Sequence, residues 1–128
     1  MSIDYSMPVL VVDDYQTVLR IMRNLLHRAG FAEIDVACDG EEALAKMRER
    51  KYGLVITDWY MAPVNGLDLV RQARADEALK ETPIILVSGE GSPESLKAAN
   101  DAGASGYVLK PFDSETLKAK IETVFAAA

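Results

Sequence analysis

The chain contains 128 residues, of which 49% are hydrophobic and 27% are charged, and its formal net charge is −6 at pH 7. This size and balance predict one soluble globular domain, and the acidic charge argues against a nucleic-acid binder, which would need a basic face. We expect no membrane insertion, because no segment approaches the roughly 20 apolar residues of a membrane span.

The N-terminal residues 1–6 lack the basic and apolar regions of a signal peptide. Cys38 is the only cysteine, which excludes an internal disulfide and favours a reducing compartment. We therefore expect a cytoplasmic protein in which Cys38 is a small buried side chain at the end of a strand.

Five short apolar runs alternate with five amphipathic stretches along the chain. The runs are rich in branched residues and predict strands buried on both faces, whereas the stretches have the residue spacing of helices. The predicted strands span 9–13, 34–37, 54–58, 84–88 and 107–110. The predicted helices span 15–29, 40–50, 66–75, 93–102 and 114–126.

This alternation predicts a three-layer α/β domain, in which helices cover both faces of a parallel sheet. In the first helix, the predicted buried face consists of Val18, Met22, Leu25 and Ala29, with Ile21 and Leu26 beside it. We expect a single domain over residues 1–128. Its core spans about 7–126, residues 1–6 form a short N-terminal extension, and no output domain follows.

Carboxylates follow two of the predicted strands. Asp13 and Asp14 close the first strand, and Asp58 closes the third. Because the carboxyl ends of parallel strands meet at one edge of a sheet, we expect the three side chains to lie together. Crowded carboxylates repel one another unless a cation lies among them, and oxygen ligands suit a hard ion. The sequence therefore predicts a Mg²⁺ site, with Mn²⁺ as an alternative.

Two further polar residues, Ser88 and Lys110, end other strands at the same edge. A carboxylate that attacks a phosphoryl donor forms an aspartyl phosphate, and this transfer mainly requires that the non-bridging oxygens be neutralised. The metal would neutralise one oxygen, Lys110 would pair with another, and the Ser88 hydroxyl would donate to a third. We therefore expect Asp58 to be the nucleophile, with Lys110 and Ser88 as its catalytic partners.

Five blocks of sequence carry a family resemblance, at residues 11–14, 20–26, 58–59, 103–108 and 110–112. With them, nearly the whole chain resembles the bacterial response-regulator receiver domains, and most closely the single-domain chemotaxis regulators among them. The resemblance implies a (βα)5 flavodoxin-like or CheY-like fold, with a five-stranded parallel sheet in the order 2-1-3-4-5.

The resemblance also assigns roles to residues of the predicted site. Asp58 matches the phosphoacceptor, and Asp13 and Asp14 match the acidic pair that serves Mg²⁺. The backbone carbonyl of Tyr60 would complete the protein ligands of the metal.

Further roles concern the response to phosphorylation. Ser88 matches the switch hydroxyl, and Tyr107 matches an aromatic residue whose ring moves inward when the hydroxyl is drawn to the phosphoryl group. Lys110 matches the family's lysine, and its peptide bond to Pro111 is cis in the family. The implied output face, on the fourth helix, last strand and last helix, includes Leu96, Tyr107, Leu109, Phe112 and Lys120.

The chain departs from the family pattern at two positions. Chemotaxis regulators have Asn two residues after the phosphoacceptor, where this chain has Tyr60. A large ring there could shield the acyl phosphate from water or obstruct a phosphatase, which predicts a changed lifetime. Pro63 lies one residue later than the usual Met-Pro, so that the shape of the neighbouring loop stays open.

The function implied by the resemblance is that of a stand-alone response regulator in two-component signal transduction. A sensor histidine kinase or a histidine phosphotransfer protein would supply the phosphoryl group from phosphohistidine. The phosphorylated domain would then bind a downstream protein, in chemotaxis and flagellar motility the motor switch. We expect that the protein is not an enzyme that turns over a substrate, although the domain assists its own phosphorylation and dephosphorylation. A phosphorelay shuttle, a phosphate sink and a regulator of a kinase are the alternatives.

Two other classes share features of this pattern. A phosphatase of the haloacid dehalogenase type also uses an Asp nucleophile, but it requires a second Asp where Tyr60 stands. A flavodoxin-like FMN carrier requires a hydroxyl- and glycine-rich phosphate loop after the first strand. Asp13 and Asp14 would repel a phosphate there.

Overall fold

The computed structural model describes residues 3–126, so that residues 1–2 of the predicted extension and residues 127–128 lie outside the described part. Strands β1 to β5 span Val9–Val12, Ile34–Ala37, Leu54–Asp58, Ile84–Ser88 and Gly106–Leu109. Helices α1 to α5 span Gln16–Ala29, Gly40–Glu49, Gly66–Ala75, Pro93–Ala102 and Ser114–Ala126. Every predicted element is present, and none of its ends is displaced by more than about one residue.

The five strands form one parallel sheet in the order β2-β1-β3-β4-β5. Val12 at the end of β1 lies opposite Ala37 of β2 and Thr57 of β3. After β1, the chain adds β2 on one side and then β3 on the other, so the strand order reverses between β1 and β3. Open parallel sheets form their ligand sites at such a switch point. The predicted flavodoxin-like, CheY-like architecture is therefore confirmed.

Two hydrophobic cores hold the sheet from opposite faces. Val9 and Val11 of β1 point toward the core that α1 and α5 cover, whereas Leu10 and Val12 point toward α2 and α3. Each fully buried side chain of this size stabilises the fold by about 1.5–3 kcal/mol. The strand ends that position the polar residues are therefore fixed from both sides.

The buried face of helix α1 overlaps the predicted one, since Met22 and Ala29 are buried as predicted, and so is Leu26, which was expected beside that face. Its buried residues are Leu19, Met22, Leu26 and Ala29. Of the predicted residues, Val18 and Leu25 are half-buried and Ile21 is 52% exposed. Both sets have helical spacing, so periodicity alone does not distinguish them. Val18 and Ile21 instead line a crevice of about 290 Å³ between α1 and the segment that contains Phe112.

The expectation that Cys38 is buried is wrong. β2 is an edge strand that ends at Ala37, and Cys38 lies just beyond it with an exposed side chain. Its Sγ lies 3.5 Å from Nε2 of Gln16. Within residues 3–126, no helix is both long and apolar enough to cross a bilayer.

Candidate functional site

Three carboxylates meet at the carboxyl ends of β1 and β3. Asp13 directly follows β1, where its backbone N–H donates to the carbonyl of Ala37 at 3.1 Å, and Asp58 is the last residue of β3. One carboxylate oxygen from each of Asp13, Asp14 and Asp58 lies within 4.8 Å of the others. The structure thus brings together the three acids that the sequence predicts for a metal site.

These carboxylates differ in their exposure to solvent. Asp13 and Asp58 are buried, with 3% and 8% of their surfaces exposed, whereas Asp14 is exposed. Burial raises the pKa of Asp13 to about 6, a backbone hydrogen bond from Tyr15 opposes this shift, and the charge of Asp58 adds to it. Such crowding of like charge in a buried place favours a bound cation. Carboxylate oxygens are the ligands that Mg²⁺ prefers, so the donor set fits this ion.

Lys110 supplies the positive charge on the opposite side of the site. Its Nζ donates to Oδ1 of Asp58 at 2.8 Å, and its backbone N–H donates to the carbonyl of Ser88 at 2.8 Å. The Lys110–Pro111 peptide bond is cis, as the family resemblance implies. One ammonium against three carboxylates leaves an excess of negative charge, which again favours a cation.

Ser88 ends β4, the strand next to β3. The residue is buried, and its Oγ accepts a hydrogen bond from the backbone N–H of Glu90 at 3.1 Å. Because Oγ is the acceptor in this contact, the hydroxyl proton remains available to a ligand at the site. The structure therefore places Ser88 on the strand beside Asp58, and within residues 3–126 its hydroxyl donates to no other protein group.

The loops after β3 and β4 are joined by a contact that the sequence did not predict. The hydroxyl of Tyr60 donates to Oε2 of Glu90 at 3.1 Å, and Oε1 of Glu90 accepts from the hydroxyls of Ser92 and Ser95 at 3.1 and 3.3 Å. These hydrogen bonds, from Ser92 first, lower the pKa of Glu90, and the bond to Glu90 raises the pKa of Tyr60. The ring of Tyr60 is 59% exposed. Tyr60 therefore bridges the two loops at the rim of the site.

Tyr107 contacts the same loop from β5. Its hydroxyl donates to the backbone carbonyl of Glu90, and its ring meets that of Trp59 edge-on, with 5.9 Å between centroids. Trp59 is buried. Glu90 thus touches the residues predicted to switch, Ser88 and Tyr107.

The predicted output face is partly open to solvent. Leu96 and Leu109 are exposed at 45% and 48%, and Tyr107, Phe112 and Lys120 are half-buried. Leu109 packs beside Gly91 of the β4–α4 loop, since a Cβ on Gly91 would lie 2.9 Å from a Leu109 methyl carbon. The face therefore adjoins the loop that contains Glu90.

The loop between β3 and α3 closes tightly on the site. The backbone N–H of Gly66 donates to the carbonyl of Trp59 at 2.8 Å, and Asn65 caps α3 by accepting from Asp68 at 2.8 Å. A Cβ on Gly66 would clash with the carbonyl oxygen of Asp58. The sequence did not decide the shape of the loop around Pro63. In the structure, the peptide bond from Ala62 to Pro63 is cis.

Comparison with known proteins identifies the family. The sequence model of the response regulator receiver domain matches residues 9–122. The chain is 42% identical to the chemotaxis protein CheY of Pseudomonas aeruginosa over 93% of this chain and 96% of that protein. It is 40% identical to the chemotaxis protein CheY-3 of Vibrio cholerae over 94% of this chain and 92% of that protein.

Solved structures give the same answer for the fold. The structure of Vibrio cholerae chemotaxis protein CheY4 matches with a TM-score of 0.86 at 34% identity, covering 93% of this chain and 98% of that one. A response regulator receiver domain protein from Clostridium thermocellum matches with a TM-score of 0.84 at 27% identity, covering 94% and 95%. The similarity therefore extends over nearly the full length of each chain.

Proposed function

Because the chain belongs to the response regulator receiver domain family, we propose that Asp58 accepts a phosphoryl group from phosphohistidine and that the modified domain signals by binding another protein. The chain is a CheY-like response regulator of two-component signalling. The observation that supports the chemistry most strongly is the position of Asp58, which lies among Asp13, Asp14 and Lys110. The donor would be a sensor histidine kinase or a histidine phosphotransfer protein.

The transfer is one displacement at phosphorus. A carboxylate oxygen of Asp58 attacks, the bond from phosphorus to the imidazole nitrogen of the donor breaks, and its electron pair remains on the imidazole, which takes up a proton. Lys110 is placed to pair with a phosphoryl oxygen, and Ser88 is placed to donate to another. The residues that would hold Mg²⁺, or Mn²⁺ as an alternative, are Asp13, Asp14, Asp58 and, through its backbone carbonyl, Tyr60. When bound, the ion would supply further positive charge. The protein is consumed as acceptor and regenerated by hydrolysis, so it is no turnover enzyme.

The contacts around Glu90 support a route from the site to the output face. When the Ser88 hydroxyl turns toward the phosphoryl group, its contact with the Glu90 N–H changes. Tyr107 follows because its hydroxyl is bonded to the carbonyl of the same residue. Coupling of this kind needs only about 1–3 kcal/mol between the two sites.

Chemotaxis is the pathway that we infer, with the flagellar motor switch as downstream partner. The inference rests on the relatives, which are named chemotaxis proteins and share about two fifths of their residues with this chain. A phosphorelay shuttle, a phosphate sink or a regulator of a kinase would use the same chemistry and differ only in the partner. Recovery of proteins from lysate with the beryllofluoride-loaded domain discriminates them. A motor-switch component supports chemotaxis, and a histidine phosphotransfer protein alone supports the relay.

Trp59 provides a direct test of the site. It is the only tryptophan, and it lies buried next to Asp58 in the sequence. Beryllofluoride, a phosphoryl mimic that binds carboxylates, should change the fluorescence of Trp59 in the presence of Mg²⁺ and should leave Asp58→Asn unchanged. An equal response of the variant would contradict the assignment of Asp58.

A further inference from the structure

Arg74 of α3 makes an unusual set of contacts at the end of the sheet remote from Asp58. Its Nε donates to the carbonyl of Gly103 at 2.8 Å, and its Nη1 donates to the carbonyls of Thr82 and Lys80 at 2.7 and 3.2 Å. Its Nη2 donates to Oγ of Ser105 at 3.2 Å. One half-buried guanidinium therefore ties α3 both to the α3–β4 connection and to the end of α4.

The contact with α4 suits the electrostatics of a helix end. Gly103 is the C-cap of α4, where partial negative charge accumulates, and the described last turn of α4 contains no basic residue of its own. Arg74 supplies that cation from a neighbouring helix. Gly103 has φ +98°, and a Cβ there would lie 3.0 Å from Cγ of Arg74, so the arginine stem packs directly on the backbone of the cap.

The attachments of α4 differ along its length. Its apolar contacts with the core come from Ala98, Ala99 and Ala102, all in its second half, and Ala99 alone is buried among its described residues. In the first half, Leu96 is 45% exposed.

The N-terminal end of α4 is held by polar contacts instead. The hydroxyls of Ser92 and Ser95 donate to the carboxylate of Glu90, and the Ser92 hydroxyl accepts from the backbone N–H of Ser95 at 3.2 Å. The carboxylate contacts are exposed to solvent, and water competes for such hydrogen bonds, so each stabilises the folded state only modestly. The first turn of α4 is therefore attached much less firmly than the last.

We propose that Arg74 is a positioning residue that fixes the C-terminal end of α4, so that movement that starts at Ser88 and Glu90 is confined to the N-terminal end. This rests on the proposed function, because phosphorylation is what moves Ser88. Leu96, a member of the candidate output face, lies on the movable end. When the C-terminal end of α4 is fixed, a shift of Ser92 turns the helix about that end and displaces Leu96. If both ends were loosely attached, the whole helix would move and Leu96 would not be displaced in a defined direction.

Hydrogen exchange measured by mass spectrometry tests the anchor. Arg74→Met keeps the apolar stem and removes the four hydrogen bonds. It should raise exchange in residues 99–105 by about tenfold and leave α1 and α5 unchanged, since exchange reports local opening. The matched control is Arg71→Met on the same helix, because Arg71 is exposed and only approaches Asp68 at 3.7 Å. This control should leave exchange in 99–105 as in the wild type.

A second arm adds beryllofluoride and Mg²⁺. In the wild type we expect exchange to change in residues 89–97 and to stay constant in 99–105, whereas in Arg74→Met the change should extend into 99–105. An even rise of exchange in all helices of the variant would show a merely structural role and overturn the proposal. An equal response of both halves of α4 in the wild type would also overturn it.

If Arg74→Met does not fold, Arg74→Lys serves instead, because it retains the charge without the planar guanidinium. Arg74→Lys should show hydrogen exchange in residues 99–105 that is intermediate between wild type and the rise expected for Arg74→Met. Exchange equal to that of the wild type would contradict the role of Arg74 in fixing the end of α4. If beryllofluoride changes nothing in the wild type, the proposed function fails. The comparison of Arg74→Met with Arg71→Met without ligand still decides whether Arg74 holds the end of α4.

Discussion

The ammonium nitrogen of Lys110 lies 2.8 Å from Oδ1 of Asp58, and this ion pair joins the ends of β5 and β3 across the intervening strand β4. Asp58 is buried, whereas Lys110 is partly exposed, so the pair lies at the boundary between core and solvent. Lys110 balances one of three carboxylate charges in the unmodified protein. In the transfer reaction the same ammonium would face a phosphoryl oxygen.

We predict that Lys110→Met separates these two roles. Loss of the ammonium should tighten Mg²⁺ binding, because a competing positive charge is removed, and should slow phosphorylation by acetyl phosphate by about 100-fold, as loss of an oxygen-stabilising donor does elsewhere. Trp59 fluorescence measures the first effect and intact mass the second. Lys97→Met, whose lysine pairs with Asp101 on the surface of α4, is the control that should alter neither.

The raised pKa of Asp13 predicts how the free energy of unfolding depends on pH. Its folded pKa of about 6 lies above the ordinary value of 3.8, so the folded state holds this proton more tightly than the unfolded chain. Without metal, the ionised Asp13 therefore costs stability as the pH rises through 6, on the order of 3 kcal/mol for a shift of this size, and the cost disappears toward pH 4. Urea unfolding of Asp13→Asn without metal should show higher stability than the wild type at pH 7.5 and near equality at pH 4.

Magnesium should reverse this penalty. The ion binds ionised carboxylates, so Mg²⁺ should raise the urea midpoint of the wild type at pH 7.5 and have little effect at pH 5, where Asp13 is largely protonated. Asp13→Asn should lose most of the stabilisation at pH 7.5. A magnesium effect that is equal at both pH values would argue against Asp13 as a ligand.

Tyr60 should control how long the phosphoryl group persists. Its ring lies at the rim of the site and is tied by its hydroxyl to Glu90. Tyr60→Asn should shorten the lifetime of the aspartyl phosphate by about tenfold, equivalent to about 1.4 kcal/mol in the barrier, because water gains access. Tyr60→Phe keeps the ring and loses the hydrogen bond, so an intermediate rate assigns part of the effect to the contact with Glu90. Unchanged decay in Tyr60→Asn would refute the shielding role.

Gly66 should be essential for the shape of the site. Gly66→Ala would force a Cβ against the carbonyl oxygen of Asp58 and within 2.9 Å of a Leu86 methyl carbon, so we expect a loss of about 3 kcal/mol in the free energy of unfolding. Gly89→Ala is a matched control, because a Cβ at Gly89 has open space. Urea denaturation of both variants checks the difference, and a similar stability for the two would show that the α3 start is less constrained than its geometry indicates.

The sheet and its polar edge could be predicted because each depends on a strong local signal. Asp13, Asp58 and Ser88 end apolar runs, and a parallel sheet gathers such ends whatever the details of packing. The face of α1 could be predicted only in part, because Met22 and Ala29 belong both to the helical series that begins at Val18 and to the one that begins at Leu19, and only the neighbouring elements select between the two. The burial of Cys38 was predicted wrongly, although the end of β2 was predicted correctly, because the sequence does not show that β2 lies at the edge of the sheet, where the residue after the strand is exposed.

The contacts of Tyr60 and Arg74 could not be predicted from the sequence, for a different reason. The partner of Tyr60 is Glu90, thirty residues away on a neighbouring loop, and only the fold brings the two together. Arg74 reads as an ordinary solvated arginine on a helix, because three of its four acceptors are backbone carbonyls and leave no trace in residue type. Both contacts become visible only once the loops are placed.

Under the proposed function, Asp58 accepts a phosphoryl group with the help of a divalent cation. Intact mass spectrometry of the protein after brief incubation with acetyl phosphate tests it most directly, with Mg²⁺ or with a chelator, in the wild type and in Asp58→Ala. We predict that one phosphoryl group, about 80 Da by its composition, is added to the wild type only with Mg²⁺ and never to Asp58→Ala. No adduct on the wild type, or an equal adduct on Asp58→Ala, would show that Asp58 is not the phosphoacceptor.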